Sequence, residues 1–267
     1  EIPTFTMSQR DTVSPLSSPI VSAVASQAQR STRAGRILVL EGDPTTDTVN
    51  AMLWRGNGPS LTASTPAIHA LTLAQARNGA ATGTLSDPAT ASLAQAAYTL
   101  VVYPDDATVQ TLAAHDIDTI LVPLGASGSV ALTSGLDRAD GLEKVGDTNS
   151  GTVWRLRPEG LTPARVRVES ASGVTTPVGS SQLRVDGNVE ASGTLILAER
   201  ADSGWHAWVD GVALTPVAAD DGWSQAFDMP TAGHLTVTYS AWWVIPWRIA
   251  AAACLVVAVA SALSAWR

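Results

Sequence analysis

Cysteine is almost missing from this 267-residue sequence: the single example, Cys254, sits inside an apolar C-terminal stretch. Residues 1–253 can therefore hold no disulfide framework, no thiolate zinc site and no cysteine nucleophile. Lysine is nearly as scarce, with Lys144 alone among 16 basic residues. Acidic residues stop before residue 241. Setting aside Arg248 and Arg267, fourteen basic residues face 24 acidic ones, so residues 1–240 carry −10 against −8 for the whole chain. So acidic a surface repels phosphate backbones and anionic headgroups, which argues against nucleic acid as a partner and against lying flat on a membrane. An initiating Met and a charged-then-apolar leader are also missing, and Glu1 is read as a boundary within a larger protein.

Catalytic signatures are equally thin. His69, His115, His206 and His234 show no metal-ligand spacing, and Ser127 lies outside any G-x-S-x-G elbow. Asp105-Asp106 loosely resembles a paired-acid metal site, but both acids stand where a helix begins and are read as caps. Gly125-Ala-Ser-Gly-Ser129 offers backbone N–H groups to a phosphate, yet lacks the Lys of a P-loop and the third Gly of a dinucleotide fingerprint. It is read as a plain strand-to-helix turn. No catalytic, cofactor-binding or metal residue is assigned.

What is present in quantity is apolar text at the C-terminus. From Ile249 to Trp266 eighteen residues run without a charge. At about 1.5 Å per residue they span roughly 27 Å, close to the thickness of a bilayer core. Trp242, Trp243 and Trp247 flank one end and Trp266 the other, as interfacial indoles do. Residues 241–267 are expected to be a transmembrane helix, with the C-terminus cytoplasmic and the rest of the chain an extracytoplasmic domain. The expected partners are the lipid bilayer, the remaining membrane part of the parent protein and a cell-envelope glycan.

The expected fold is an α/β domain followed by an all-β sandwich and that helix. Residues 1–19 read as a Ser/Thr/Pro linker. Residues 20–158 alternate strand and helix patterns: a helix from Ile20, strands at Arg36–Glu41 and Ala51–Arg55, and a helix from Asp87-Pro88 to Ala97. A strand at Thr99–Tyr103, a helix to His115, a strand at Asp118–Pro123 and a helix at Val130–Leu136 follow, closed by strands at Leu142–Val145 and Thr152–Leu156. Such alternation implies a partly parallel sheet with helices packed on it. Residues 159–240 carry short alternating runs separated by turn signals, Asp186-Gly187-Asn188 and Asp210-Gly211 among them, and read as the sandwich.

One constellation is worth a ligand. Trp205-His206-Ala207-Trp208 stands beside Asp210, and Trp205 with Trp223 offers indole faces to the apolar face of a pyranose. Strand alternation competes with this, because it turns Trp205 inward whenever His206 points out.

The same stretch carries a resemblance. Ser203-Gly-Trp-His-Ala-Trp-Val-Asp-Gly211 and Thr231-Ala-Gly-His-Leu-Thr-Val-Thr-Tyr239, followed by an apolar tail, resemble the C-terminal end of YfhO-type and related polytopic membrane glycosyltransferases. Similar text occurs in the large family 2 glycosyltransferases of high-GC Gram-positive bacteria. Ile117–Pro123, Gly141–Val145 and Thr152–Leu156 look like the matching upstream part, so the resemblance covers residues 20–267. It implies a non-catalytic outer portion of a cell-envelope glycosyltransferase that positions glycan or binds a partner. No active-site residue carries over, because those families keep their catalytic acids elsewhere. A structural or adhesion module unrelated to sugar transfer is the alternative.

Overall fold

The structure, a computed structural model, describes residues 35–42, 50–54, 71–72, 87–102, 104–125, 128–148, 151–179 and 184–240, with 251 and 254. The first half holds β1 (Arg36–Glu41), β2 (Asn50–Trp54), β3 (Leu71–Thr72), β4 (Ile117–Pro123), β5 (Leu142–Thr148) and β6 (Gly151–Leu156). Three helices accompany them: α1 (Pro88–Val102), α2 (Asp106–Ala114) and α3 (Ser129–Leu136). The strands make one sheet in the order β3-β2-β1-β4-β6-β5. Alternate residues Leu38 and Leu40 of β1, Ile120 and Val122 of β4, and Trp154 and Leu156 of β6 share one core with the helices. The helices contribute Leu93, Leu100, Leu112, Leu132 and Leu136, at the helical spacing that turns one stripe inward. Trp154 is fully buried and its indole N–H donates to Asp137 at 3.0 Å, which satisfies its one polar atom.

The second half is all β: β7 (Val166–Glu169), β8 (Thr175–Pro177), β9 (Arg184–Val189), β10 (Gly193–Arg200), β11 (Trp205–Val209), β12 (Val212–Ala213), β13 (Thr215–Ala218), β14 (Ser224–Met229) and β15 (Gly233–Tyr239). A five-stranded sheet, β13-β14-β10-β7-β8, packs on a four-stranded sheet, β12-β11-β15-β9. Val166, Val168, Leu195, Leu197, Phe227 and Met229 from one inner face meet Val185, Trp205, Ala207, Val209, Leu235 and Val237 from the other. The chain changes sheets at Leu214, whose N–H donates to the Ala207 carbonyl at 2.8 Å, leaving β12 and β13 in different sheets.

The expected architecture needs correction in three places. The described chain is predominantly β, with three sheets against three helices, and in the first sheet only β1 and β4 run parallel. The repeated βα alternation fails because Thr99–Val102, part of the expected strand Thr99–Tyr103, continues α1. Its β-prone side chains extend the helical stripe of Leu93, Ala96 and Ala97 through Leu100, which is 1% exposed, and core packing overrides propensity. Asp186-Gly187-Asn188 is not a turn but the middle of β9, which pairs with β15 over six residues; a turn there would pull Val185 and Val189 out of the core. The third correction concerns the transmembrane helix. Among the described residues no helix is long and apolar enough to cross a membrane. The longest, α1, has 15 residues, or about 22 Å, and it packs in the protein core. The expected span at Ile249–Trp266 lies outside the described residues apart from Ala251 and Cys254, which are helical. The linker and the helix from Ile20 lie outside them altogether.

Candidate functional site

Strand β11 divides the tryptophan-histidine cluster between two faces. Trp205, Ala207 and Val209 turn inward, while His206 is exposed and Trp208 half-buried on the outer side. Trp205 is 4% exposed and meets Tyr239 edge-on at 4.9 Å between ring centroids. Trp223 is also buried, against the first half of the molecule. The two indoles expected as a sugar platform are therefore both covered, and neither shares a face with His206. Asp210 sits in the β11–β12 turn with φ 50, followed by Gly211 with φ 81, the paired left-handed conformation of a tight hairpin.

The outer face of the four-stranded sheet gathers polar groups around the two outward rings. Across the strands Trp208 stands opposite Thr236, which stands opposite Asp186; His206 stands opposite Thr238, and His234 opposite Asn188. The His206 and Trp208 ring centroids are 6.0 Å apart with planes inclined by 36°. The His234 ring is held from both sides, Nε2 at 2.9 Å from an Asp186 carboxylate oxygen and Nδ1 at 3.2 Å from the Asn188 amide oxygen. Its backbone N–H donates to Asp210 at 2.9 Å, tying the hairpin tip to the start of β15. Such a face can stack flat apolar surfaces and exchange hydrogen bonds with hydroxyls beside them.

A second constellation, not anticipated from the sequence, joins the two halves of the molecule. One end of the five-stranded sheet abuts α1 and the end of α2. The Trp223 indole lies flat on the His115 imidazole, 4.0 Å between centroids and 7° between planes, and Ala89 and Ala198 extend this apolar contact. Below it lies a charge cluster. Glu199, with no exposed side-chain surface, meets Arg165 Nε at 2.9 Å and Arg36 Nη2 at 3.0 Å through one oxygen. Arg36 donates to the carbonyl of His115 at 3.1 Å and Arg167 to that of Ala114 at 3.2 Å, satisfying the open carbonyls at the end of α2. Asp116, fully buried with φ 63, turns the chain from α2 into β4 in the left-handed conformation that Asp tolerates better than most residues. Burial lowers the Arg167 pKa, against the charges of Asp221, Glu169 and, more weakly, Asp116, which favour its charged state. At the rim Arg200 grips Asp87 with two 2.7 Å contacts, while Asp87 also accepts the Thr90 N–H at 2.8 Å and caps α1. Burial, then the nearby charges of Arg36 and Arg167, push the His115 pKa down to about 3. A neutral imidazole with Nε2 at 3.0 Å from Ser92 Oγ is a stacking plate, not an acid or a base at ordinary pH. A trace of this cluster is visible in the sequence: Leu195 to Glu199 lacks polar–apolar alternation, as a strand covered on both faces does.

The remaining candidates resolve simply. Asp105 accepts the Thr108 hydroxyl at 2.5 Å and the Thr108 N–H at 2.7 Å and caps α2; these bonds, despite some desolvation, hold its carboxyl below the usual range. Asp106 lies exposed in the first turn, and no group of acids and histidines suited to a metal occurs among the described residues. Gly125 and Gly128 both take positive φ in the β4–α3 turn, while Ala126, Ser127 and also His69 lie outside the described residues. A groove of about 460 Å³ on the outer side of the five-stranded sheet is lined by Glu169, Asp228, Asp220 and Asp221 around Ile196 and Val217. No protein-family model, no curated protein and no solved structure matches this chain.

Proposed function

We propose that this chain is a non-catalytic glycan-binding portion of an extracytoplasmic, cell-envelope protein of the glycosyltransferase kind, and that it positions glycan on the outer face of its four-stranded sheet. The observation that carries this reading is the open pairing of His206 and Trp208 beside Thr236, Thr238, Asp186 and Asn188. Aromatic rings bordered by hydroxyl and carboxylate groups suit a pyranose, whose apolar face and equatorial hydroxyls need both. The near-absence of cysteine is compatible with an extracytoplasmic location. The glycosyltransferase association rests on the resemblance of the β11 hairpin and β15.

The buried joint supports a second reading, a structural module, because a charge cluster and a stacked ring pair weld the halves together. A glycan array probed with the full chain and with Trp208→Ala separates the two. Retention of a defined set of glycans, lost in the variant, supports the binding reading. Silence across the array rejects it and leaves the structural module. Sugar turnover that survives purification and vanishes on a single acid substitution rejects the non-catalytic assignment.

A further inference from the structure

We infer that the outer face of the four-stranded sheet holds two consecutive pyranose units of an uncharged linear glycan, one over Trp208 and the next over His206. This rests on the glycan-binding reading above and adds to it the number of subsites, the direction of the chain and its charge class.

Direction follows from strand geometry. Alternate residues of a strand project to one side, so His206 and Trp208 are neighbouring outward positions along β11. Their centroids, 6.0 Å apart, are spaced much like consecutive rings of a pyranose chain, and their 36° inclination suits rings that rotate against each other about glycosidic bonds. A single sugar covers one plate; a disaccharide running along the strand covers both. The neighbouring strand repeats this order. Thr236 stands opposite Trp208 and Thr238 opposite His206, so each ring has a hydroxyl at its side. Two like units, aromatic plus threonine, make two like subsites, with Asp186 and Asn188 one strand further out for the hydroxyls of the Trp208 end.

Charge sets the class. Asp186 and Asp210 stand at this face, residues 1–240 carry a net −10 in all, and the His234 ring is already held by Asp186 and Asn188. A polyanionic glycan would approach against that field.

The test is a calorimetric titration of the full chain with neutral gluco-, galacto- and manno-oligosaccharides of one to four units, and with oligogalacturonate as the anionic probe. Affinity should rise roughly tenfold from mono- to disaccharide and little thereafter. His206→Ala should cost about three- to tenfold for the disaccharide and at most about twofold for the monosaccharide, His206→Tyr should restore the length dependence, and Trp208→Ala should weaken both ligands. His206 is exposed, so matching melting curves will show that these changes leave the fold intact. Equal affinity for one unit and two, or a silent His206→Ala, overturns the two-subsite assignment and leaves glycan binding standing. Tighter binding of oligogalacturonate overturns the charge class. Silence toward every probe overturns this inference together with the reading beneath it.

Discussion

Replacing Glu199 by Gln should break the joint between the two halves more severely than any single surface change. Its carboxylate is wholly buried and meets Arg165 and Arg36 at 2.9 and 3.0 Å. At a centre-to-centre distance of about 4 Å and an effective dielectric of ~20, each pairing is worth ~4 kcal/mol before desolvation is counted. Desolvation of the ions offsets most of that in the intact cluster, so the cluster adds little net stability. The variant keeps the desolvation of two guanidinium groups and loses a counter-charge that both of them share, a loss of about 3–5 kcal/mol. Urea unfolding followed by circular dichroism should show this as a lowered midpoint. Tryptophan fluorescence should register the first half, through Trp154, separating from the sandwich as a distinct transition. Exchanging these three together, Arg36→Met, Arg165→Met and Glu199→Leu, should cost less, because neither guanidinium is then left buried without Glu199. A loss below about 1 kcal/mol for Glu199→Gln would refute the reasoning, as would a triple variant less stable than the single one.

Two further outcomes follow from the same joint and its neighbouring core. Because the folded-state pKa of His115 lies near 3 and its ordinary value is 6.5, the unfolded chain binds a proton between those values that the folded chain refuses. Its contribution to stability is fully present above pH 6.5 and is lost as the pH falls, by up to about 1.4 kcal/mol per unit. His115→Phe keeps a ring against Trp223 and should abolish that slope between pH 6.5 and about 4.5; Glu41, whose carboxyl burial pushes up, acts in both proteins and cancels. Parallel curves would refute it. Trp205→Ala should cost about 3–5 kcal/mol and Trp208→Ala under about 1.5, read from urea midpoints; equal losses would contradict the inward and outward assignment of β11.

The sandwich was legible because its signals are local. Trp205–Val209 alternates by single residues and ends in Asp-Gly, and both features survive in β11 and its turn. Asp186-Gly187-Asn188 has the same turn chemistry but is overruled by a non-local demand, the pairing of β9 with β15. Thr99–Val102 fails for a related reason: β propensity lost to a helical stripe whose worth depends on Leu112 and Trp154, remote in sequence. Of the candidate site, alternation correctly sends His206 outward and Trp205 inward, but it is silent on Trp223, whose partner His115 lies 108 positions earlier. The arginines of the joint read like the polar side of an ordinary strand, since Arg165 and Arg167 alternate with Val166 and Val168. Only the docking of α1 and α2 makes them interior.

The central claim, glycan held on the outer face of the four-stranded sheet, is tested most directly by NMR of the ¹⁵N-labelled chain during titration with a neutral disaccharide. The indole N–H of Trp208 should shift with the backbone amides of His206, Thr236 and Thr238, while the indoles of Trp154, Trp205 and Trp223, each at most 4% exposed, stay in place. Shifts confined instead to the groove lined by Glu169 and Asp228, or no shifts at a saturating disaccharide concentration, would contradict it.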